Sequence, residues 1–432
     1  MADPASGEMI AEKQTSSATY SQENMPDYYR PLESRTVLTG FTGGIALCRA
    51  VDYSRKIISL GAGIIPVMTR HAAKLVSPVT MAALTGKKVH MELFSLEDAA
   101  SIPHIELARS ADLFLVMPAT ANFMAKAASG LADDLLSTVL LAFEGPVLFY
   151  PSMNPSMYSN PATESSMRRL RELGYTVVDP DQGKTACGEK GRGRLPSWPA
   201  VRQSILKAVT PQTLKGMKIL VSAGPTREPL DPVRYISNRS SGRMGYAMAE
   251  SAATRGADVT LVTGPVSIQA PGVRDICRVE TAAQMADAVL GRSAEMDVIV
   301  MTAAVADYAP CQACDTKIKK VEDKLTVHLK KTQDILAELV NRRTRNQVII
   351  GFCAETGDLE ARTAEKIRNK GADLMVGNDV TMPGAGFDVQ TNRVIVVSAD
   401  GSVETLPMMD KREVAERIWY IVEKQFIRSS VD

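Results

Sequence analysis

Arg35-Thr-Val-Leu-Thr-Gly-Phe-Thr-Gly-Gly44 is a β-branched and aliphatic run that ends in a glycine-rich turn. Followed by an amphipathic stretch, it reads as a strand passing through a tight turn into a helix. Gly61-Ala-Gly-Ile-Ile-Pro-Val-Met-Thr69 supplies the next strand. The same order returns later: Met217-Lys-Ile-Leu-Val-Ser-Ala-Gly224 is a strand, Met244 to Arg255 a helix, and Gly256-Ala-Asp-Val-Thr-Leu-Val-Thr-Gly264 a strand. Ala111-Asp-Leu-Phe-Leu-Val-Met-Pro-Ala-Thr-Ala-Asn122 is likewise matched by Met296-Asp-Val-Ile-Val-Met-Thr-Ala-Ala-Val-Ala-Asp307. Gly145-Pro-Val-Leu-Phe-Tyr-Pro151 has its counterpart in Asn346-Gln-Val-Ile-Ile-Gly-Phe352.

Strands alternating with helices, in two copies of one plan, predict an α/β chain. It would hold two doubly wound, Rossmann-like domains with mostly parallel sheets. Ligands in such sheets bind at the carboxyl ends of strands, so the turns just quoted are candidate sites. The join is expected near Thr210-Pro-Gln-Thr-Leu-Lys-Gly216, giving domains of 35–209 and 210–432. Residues 1–34, polar and without periodicity, read as a flexible tail.

Composition narrows the function classes. Fifty Lys and Arg against 49 Asp and Glu leave +1 over 432 residues, which argues against a nucleic-acid or membrane-surface binder. Six irregularly spaced Cys make no disulfide framework, and no signal peptide or membrane span is apparent. The expectation is a reducing, cytoplasmic enzyme.

The turn at Gly43-Gly44 opens a helix and can hold a phosphate on its amides, although a plain tight turn fits as well. Thr69 ends the second strand, and Pro118-Ala-Thr120-Ala121-Asn122 places hydroxyl and amide groups at another strand end. Ile102-Pro-His104-Ile-Glu-Leu starts a helix with one of only four His. Pro151-Ser-Met-Asn154-Pro-Ser-Met157-Tyr follows a buried-looking strand. Ala186-Cys187-Gly-Glu-Lys-Gly-Arg-Gly-Arg194 surrounds a Cys with cations and glycines, favouring its thiolate and permitting a mobile flap.

Together, and in this order, these motifs resemble the flavin-containing Cys decarboxylases, specifically the phosphopantothenoylcysteine decarboxylases, over about residues 35–200. Tyr158 stands where the asparagine motif often ends in Trp. The resemblance implies a flavodoxin-like domain that binds FMN through Gly43, Gly44, Thr69, Thr120, Ala121 and Asn122. It implies that His104 assists oxidation and decarboxylation, Asn154 binds the substrate carboxylate, and Cys187 protonates the product on a flap. It also implies trimeric flavin domains.

Ser222 to Gly245 is a connection of roughly twenty residues with four Arg, against a usual loop of about 4–6. Arg234 and Arg243 offer anion contacts, and Ser240-Ser-Gly-Arg-Met-Gly245 can cradle a phosphate at a helix start. A basic run at Lys317-Ile-Lys-Lys320 reads alone as a solvated face. Ala303, Asp307, Asp334, Phe352 and the helix-spaced Lys366 and Lys370 change that context toward a nucleoside triphosphate, with no P-loop present. Cys311-Gln-Ala-Cys314 lacks a second Cys or His pair, which argues against zinc.

This half resembles the phosphopantothenate–cysteine ligases from about Leu214 to Tyr420. The order of the two halves is that of the fused bifunctional enzymes of bacterial coenzyme A synthesis. The resemblance implies activation of 4′-phosphopantothenate by CTP to an acyl-cytidylate, with Mg2+, and attack by cysteine. The product would then be decarboxylated to 4′-phosphopantetheine. Asn238 would contact the acyl intermediate, Arg234 lie in its loop, and Lys317 serve activation. Ala303, Asp307, Lys317, Asp334, Phe352, Lys366 and Lys370 would line the CTP site. Dimeric ligase domains would join trimeric flavin domains, up to a dodecamer, with small molecules as the other partners. A non-enzymatic regulator should lack Cys187, Asn154 or His104, and all three are present. A flavoenzyme for another thiol would not need the fused ligase.

Overall fold

The computed structural model describes residues 30–94, 102–319, 325–344, 346–382, 384–386 and 388–427. Expectations on residues 1–29 and on Lys320 lie outside the described residues. Leu32, within the segment read as a tail, is fully buried in the first core.

Five strands form the first sheet: β1 (Thr36–Phe41), β2 (Gly63–Met68), β3 (Leu113–Ala119), β4 (Val147–Pro151) and β5 (Thr176–Val177). Their order is β2-β1-β3-β4-β5 and every pairing is parallel. This is the flavodoxin-like order, in which the crevice opens between β1 and β3. The strands read as continuous aliphatic runs because both faces are covered. Val37, Leu113, Leu115 and Leu148 pack into one layer, and Leu38, Phe114, Val116 and Phe149 into the other. After β5 the chain forms an antiparallel hairpin, β6 (Asp181–Lys184) with β7 (Lys190–Arg194), where the sequence suggested only a loop.

The second half begins with β8 (Lys218–Ala223), followed by a small hairpin of β9 (Arg227–Pro229) and β10 (Tyr235–Ser237). β11 (Asp258–Thr263), β12 (Asp275–Arg278) and β13 (Val298–Met301) come next. A second small hairpin, β14 (Tyr308–Pro310) with β15 (Leu329–Lys331), precedes β16 (Val348–Glu355), β17 (Leu374–Asp379), β18 (Thr391–Ser398) and β19 (Val403–Asp410). The main sheet runs β12-β11-β8-β13-β16-β17-β18-β19. It is parallel up to β17 and antiparallel through β18 and β19. Strand order reverses between β8 and β13, which places a second crevice there.

Helix Arg243–Thr254 covers this sheet beside helix Lys411–Val422, where Trp419 is fully buried and donates to the Met248 carbonyl at 3.0 Å. The two halves meet where helix Trp198–Val209 faces helix Arg243–Thr254. There Arg202 pairs with Glu250 at 2.5 Å.

Gly242 has φ +74°, and its freedom lets the chain turn into helix Arg243–Thr254. At Gly245 a Cβ would collide with Ala223 on β8 and with the Thr302 side chain. That glycine therefore sets how closely helix and sheet approach. Gly245→Ala should destabilise the second half by about 1–3 kcal/mol through overpacking. In a Trp198→Phe background, urea unfolding followed by Trp419 fluorescence should show a lower midpoint, and an unchanged midpoint would refute the close-packing role.

Candidate active sites

A cavity of about 620 Å³ opens at the carboxyl ends of β1, β2 and β3. Thr42, Gly43, Thr69, His71, Thr120 and Asn122 are among its walls. Thr42 joins the β1 and β3 ends, its hydroxyl donating to the Pro118 carbonyl at 2.7 Å and accepting from the Thr120 amide at 3.1 Å. A Cβ on Gly43 would lie 2.5 Å from that of His71, so the turn is pressed against the next loop. The amides of Gly43, Ile45 and Ala46 donate to no group among the described residues, and helix Leu47–Ser59 starts directly behind them. Such a cradle of free amides fits a phosphate group.

Of the residues expected to bind FMN, Gly43, Thr69, Thr120 and Asn122 line this cavity. Gly44 lies against Pro118 and Thr120, and Ala121 opens helix Ala121–Ser129. The hydroxyls of Thr69 and Thr120 also cap helices, accepting from the amides of Ala72 and Phe123.

The hairpin β6–β7 lies on the loop after β4. Met153 donates to the Gly193 carbonyl at 2.9 Å, and Ser152 bonds the same oxygen at 3.2 Å. Cβ atoms on Gly191 and Gly193 would strike Pro155 and the Met153 carbonyl. These glycines serve close docking, which the expectation of a mobile loop did not anticipate.

Docking brings two expected residues together: Asn154 Nδ2 lies 3.1 Å from Cys187 Sγ and donates to Glu189 Oε2 at 2.9 Å. Thr185 Oγ1 also lies 3.1 Å from Sγ. Hydrogen bonds from Thr185 and Asn154 hold the exposed Cys187 thiol below its ordinary range, while the Glu189 charge opposes them. His104 sits half-buried in the first turn of helix Pro103–Arg109, with no hydrogen bond to Asn154 or Cys187 among the described residues.

In the second half a cavity of about 480 Å³ lies at the carboxyl ends of β8, β13, β16 and β17. Asn238, Ala303, Asp307 and Phe352, all expected there, line it. Asn238 Nδ2 donates to the Val305 carbonyl at 2.9 Å, and the Ala303 amide donates to Ser222 Oγ at 3.2 Å. Arg234, Lys317, Asp334, Lys366 and Lys370 are not among its walls. Lys366 pairs with Glu355 at 2.5 Å, and Lys370 pairs with Asp334, which also caps helix Ile335–Asn341.

Arg234 is held by the buried Asp231 carboxylate, which accepts from its Nε at 3.0 Å and from the Ile318 amide at 3.1 Å. Asp231 thereby fastens the Lys317 segment beside the Arg234 loop. Its carboxyl is held far below the usual range, first by the Arg234 guanidinium and then by backbone amides.

Sequence reasoning missed Thr185, Glu189, Asn378, Asn392 and Lys411. Asn378, Asn392 and Lys411 line the second cavity. The Lys411 ammonium is buried and donates to the carbonyls of Gly386 at 3.1 Å and Val389 at 2.8 Å. Burial, with the Arg243 cation nearby, pushes this amine down to about 8. Its signal was faint, a lysine opening an apolar helix far along the chain. Thr185 and Glu189 flank Cys187 and were readable only once the hairpin register was known.

The thiol geometry carries a test. Thr185→Val and Asn154→Ala each remove a donor to Sγ, so the Cys187 thiol should rise toward its ordinary range. The pH midpoint of iodoacetamide alkylation at Cys187, followed by peptide mass spectrometry, should move upward in both variants. An unmoved midpoint would rule out these hydrogen bonds.

Comparison with known proteins agrees with this two-part layout. Residues 26–210 match the family described as Flavoprotein, and residues 214–426 the DNA/pantothenate metabolism flavoprotein C-terminal domain. The coenzyme A biosynthesis bifunctional protein CoaBC of Bacillus subtilis (strain 168) is 41% identical over 391 residues, covering 90% of this chain and 96% of that protein. The protein of the same name from Mycobacterium tuberculosis (strain ATCC 25618 / H37Rv) is 40% identical over 400 residues, covering 89% and 95%. That of Vibrio cholerae serotype O1 (strain ATCC 39315 / El Tor Inaba N16961) is 38% identical over 397 residues, covering 91% and 99%. With both halves matched, in order and nearly end to end, the chain belongs to the bifunctional protein family of coenzyme A biosynthesis, a flavoprotein decarboxylase fused to a phosphopantothenate–cysteine ligase.

Proposed function

We propose that residues 210–432 join 4′-phosphopantothenate to cysteine with CTP and Mg2+, and that residues 35–209 decarboxylate the product to 4′-phosphopantetheine. The observation that carries the first-half assignment is the hydrogen bond between the Asn154 amide and the Cys187 thiol in the turn of the docked hairpin. It sets a carboxylate-binding donor beside a proton source.

In the decarboxylase half, the Gly43-Gly44 turn with its free Gly43 amide and the polar groups of Thr69, Thr120, Ala121 and Asn122 would hold FMN at the β1–β3 crevice. Bound there, FMN supplies a two-electron oxidation of the cysteinyl group and the later return of those electrons. Asn154 orients the substrate carboxylate for loss of carbon dioxide, and His104 assists this stage. Cys187 delivers a proton to the carbon left behind, while its hairpin keeps water out. Its thiol, set below the ordinary range, is an acid suited to near-neutral pH.

In the ligase half, Asn238 would contact the activated acyl group at the β8–β13 crevice, with Arg234 and Lys317 joined through Asp231 beside it. Ala303, Asp307, Lys317, Asp334, Phe352, Lys366 and Lys370 would serve CTP, the paired lysines exchanging carboxylate for phosphate. Mg2+ would arrive with the triphosphate, whose oxygens are its natural ligands.

We read the working protein as a homo-oligomer, with flavin sites completed between copies. Phe94 supports this: it borders the flavin cavity with 92% of its surface exposed. No helix among the described residues is long and apolar enough to cross a membrane.

Incubation with phosphopantothenate, cysteine, CTP and Mg2+ should yield phosphopantothenoylcysteine and then 4′-phosphopantetheine by mass. Formation of neither product would overturn the proposal. Cys187→Ser should lower 4′-phosphopantetheine formation by about 100-fold or more, as loss of a general acid does. It should accumulate a decarboxylated species lighter by two hydrogens. Asn238→Asp should block ligation yet still decarboxylate supplied phosphopantothenoylcysteine. Normal turnover by the Cys187→Ser variant would remove the thiol from its assigned role.

A further inference from the structure

The chain already carries a carboxylate on the amide that is assigned to the substrate's carboxylate. Asn154 Nδ2 donates to Glu189 Oε2 at 2.9 Å, while its Oδ1 accepts from the Ser156 amide at 2.8 Å. The amide is thus oriented by its own loop, and its donor face is turned to the hairpin. That face meets two groups, the Glu189 carboxylate and the Cys187 sulfur. The hairpin is set by Gly193 against Met153 and by the Thr185–Glu189 turn, in which the Thr185 amide donates to the Glu189 carbonyl at 2.8 Å. Glu189 therefore reaches Asn154 from a fixed backbone.

We propose that Glu189 is a resident occupant of the carboxylate subsite, a positioning residue that holds Asn154 and the hairpin in register until the substrate's carboxylate displaces it. The inference rests on the assignment of Asn154 to the substrate carboxylate. Two carboxylates cannot share one N–H donor pair cheaply, because like charges at close range repel. Substrate entry must move Glu189 away, so part of the binding free energy is consumed in the exchange. A ligand without a carboxylate has no such competitor. The reaction itself removes the substrate carboxylate as carbon dioxide, which frees Asn154 for Glu189 to return. Its return re-forms the empty-site arrangement without opposing the decarboxylated product, so the exchange weakens substrate binding and leaves product binding unchanged.

The same placement sets the acid. The Glu189 charge opposes the donors that lower the Cys187 thiol, its own backbone amide among them. Among the described residues, the side chains that bond Sγ are Thr185 and Asn154, and Glu189 is the carboxylate that shares the Asn154 amide.

The test uses the full-length, FMN-loaded protein, with supplied phosphopantothenoylcysteine as substrate and 4′-phosphopantetheine as a carboxylate-free competitive ligand. Glu189→Gln keeps size and an acceptor oxygen but removes the charge. Its KM for phosphopantothenoylcysteine should fall on the order of 5- to 20-fold, the scale of one charged hydrogen bond no longer displaced. The inhibition constant of 4′-phosphopantetheine should stay within about 2-fold, which is small beside such a bond. The pH midpoint of Cys187 alkylation should fall in the same variant. Glu189→Asp, which keeps the charge on a shorter arm, serves as the second variant, and its midpoint should lie above that of Glu189→Gln.

An unchanged KM in Glu189→Gln, or equal shifts for substrate and for 4′-phosphopantetheine, would overturn the inference. Either result leaves the decarboxylase reading standing. A wild-type protein that does not decarboxylate phosphopantothenoylcysteine would overturn that reading instead.

Discussion

Parallel pairing of β1 with β3, and of β8 with β13, is the constraint on which the rest depends. Parallel neighbours cannot be joined by a tight turn, so each connection crosses a face of the sheet as a helix. Where the strand order reverses, the two connections leave in opposite directions and a crevice remains between them. Both cavities lie at such reversals, and both crevices are bridged by a hydroxyl. Thr42 links the β1 end to the β3 end, and Ser222 on β8 receives the Ala303 amide beyond β13. The fold thereby aligns main-chain donors before any ligand arrives, which is what makes electrostatic recognition inexpensive in reorganisation.

A second pattern follows. Many charged groups near these crevices are already satisfied by a partner from the chain: Arg234 by Asp231, Lys366 by Glu355, Lys370 by Asp334. Half-exposed pairs such as Lys370–Asp334 contribute little to stability. Such pairs hold the long lysine side chains in place. Asp231 differs, because its carboxylate is buried and binds three backbone amides besides the guanidinium. It organises the loop by joining the Arg234 and Ile318 segments.

Much of this was legible in the sequence. Strands such as Leu113–Ala119 and Val298–Met301 are apolar throughout because both faces are covered, and that signal survives without coordinates. The cavity walls Gly43, Asn122 and Phe352 followed from their places at strand ends, whereas Asn238 followed from the resemblance of its long loop. The hairpin β6–β7 was not legible. Asp-Gln-Gly-Lys and Lys-Gly-Arg-Gly-Arg have no hydrophobic alternation, and their pairing is fixed by backbone docking on Met153. Lys411 was hidden for a different reason. Its neighbours come from Arg243 and from the connection at Gly386–Val389, which only the folded sheet brings near.

The contact between the halves has a bearing on how such a chain can drift. Arg202, on a helix whose Val201, Ile205 and Leu206 belong to the first core, meets Glu250 of the second half at 2.5 Å. Both side chains are largely withdrawn from water. Losing one partner strands the other charge, which is costly, whereas replacing both with apolar groups can be neutral. Positions 202 and 250 should therefore change together or not at all across descendants of this chain. The two enzymes, although separable as chemistry, are then tied as one unit of inheritance at a seam that also carries the Gln203 bond to the Gly272 carbonyl.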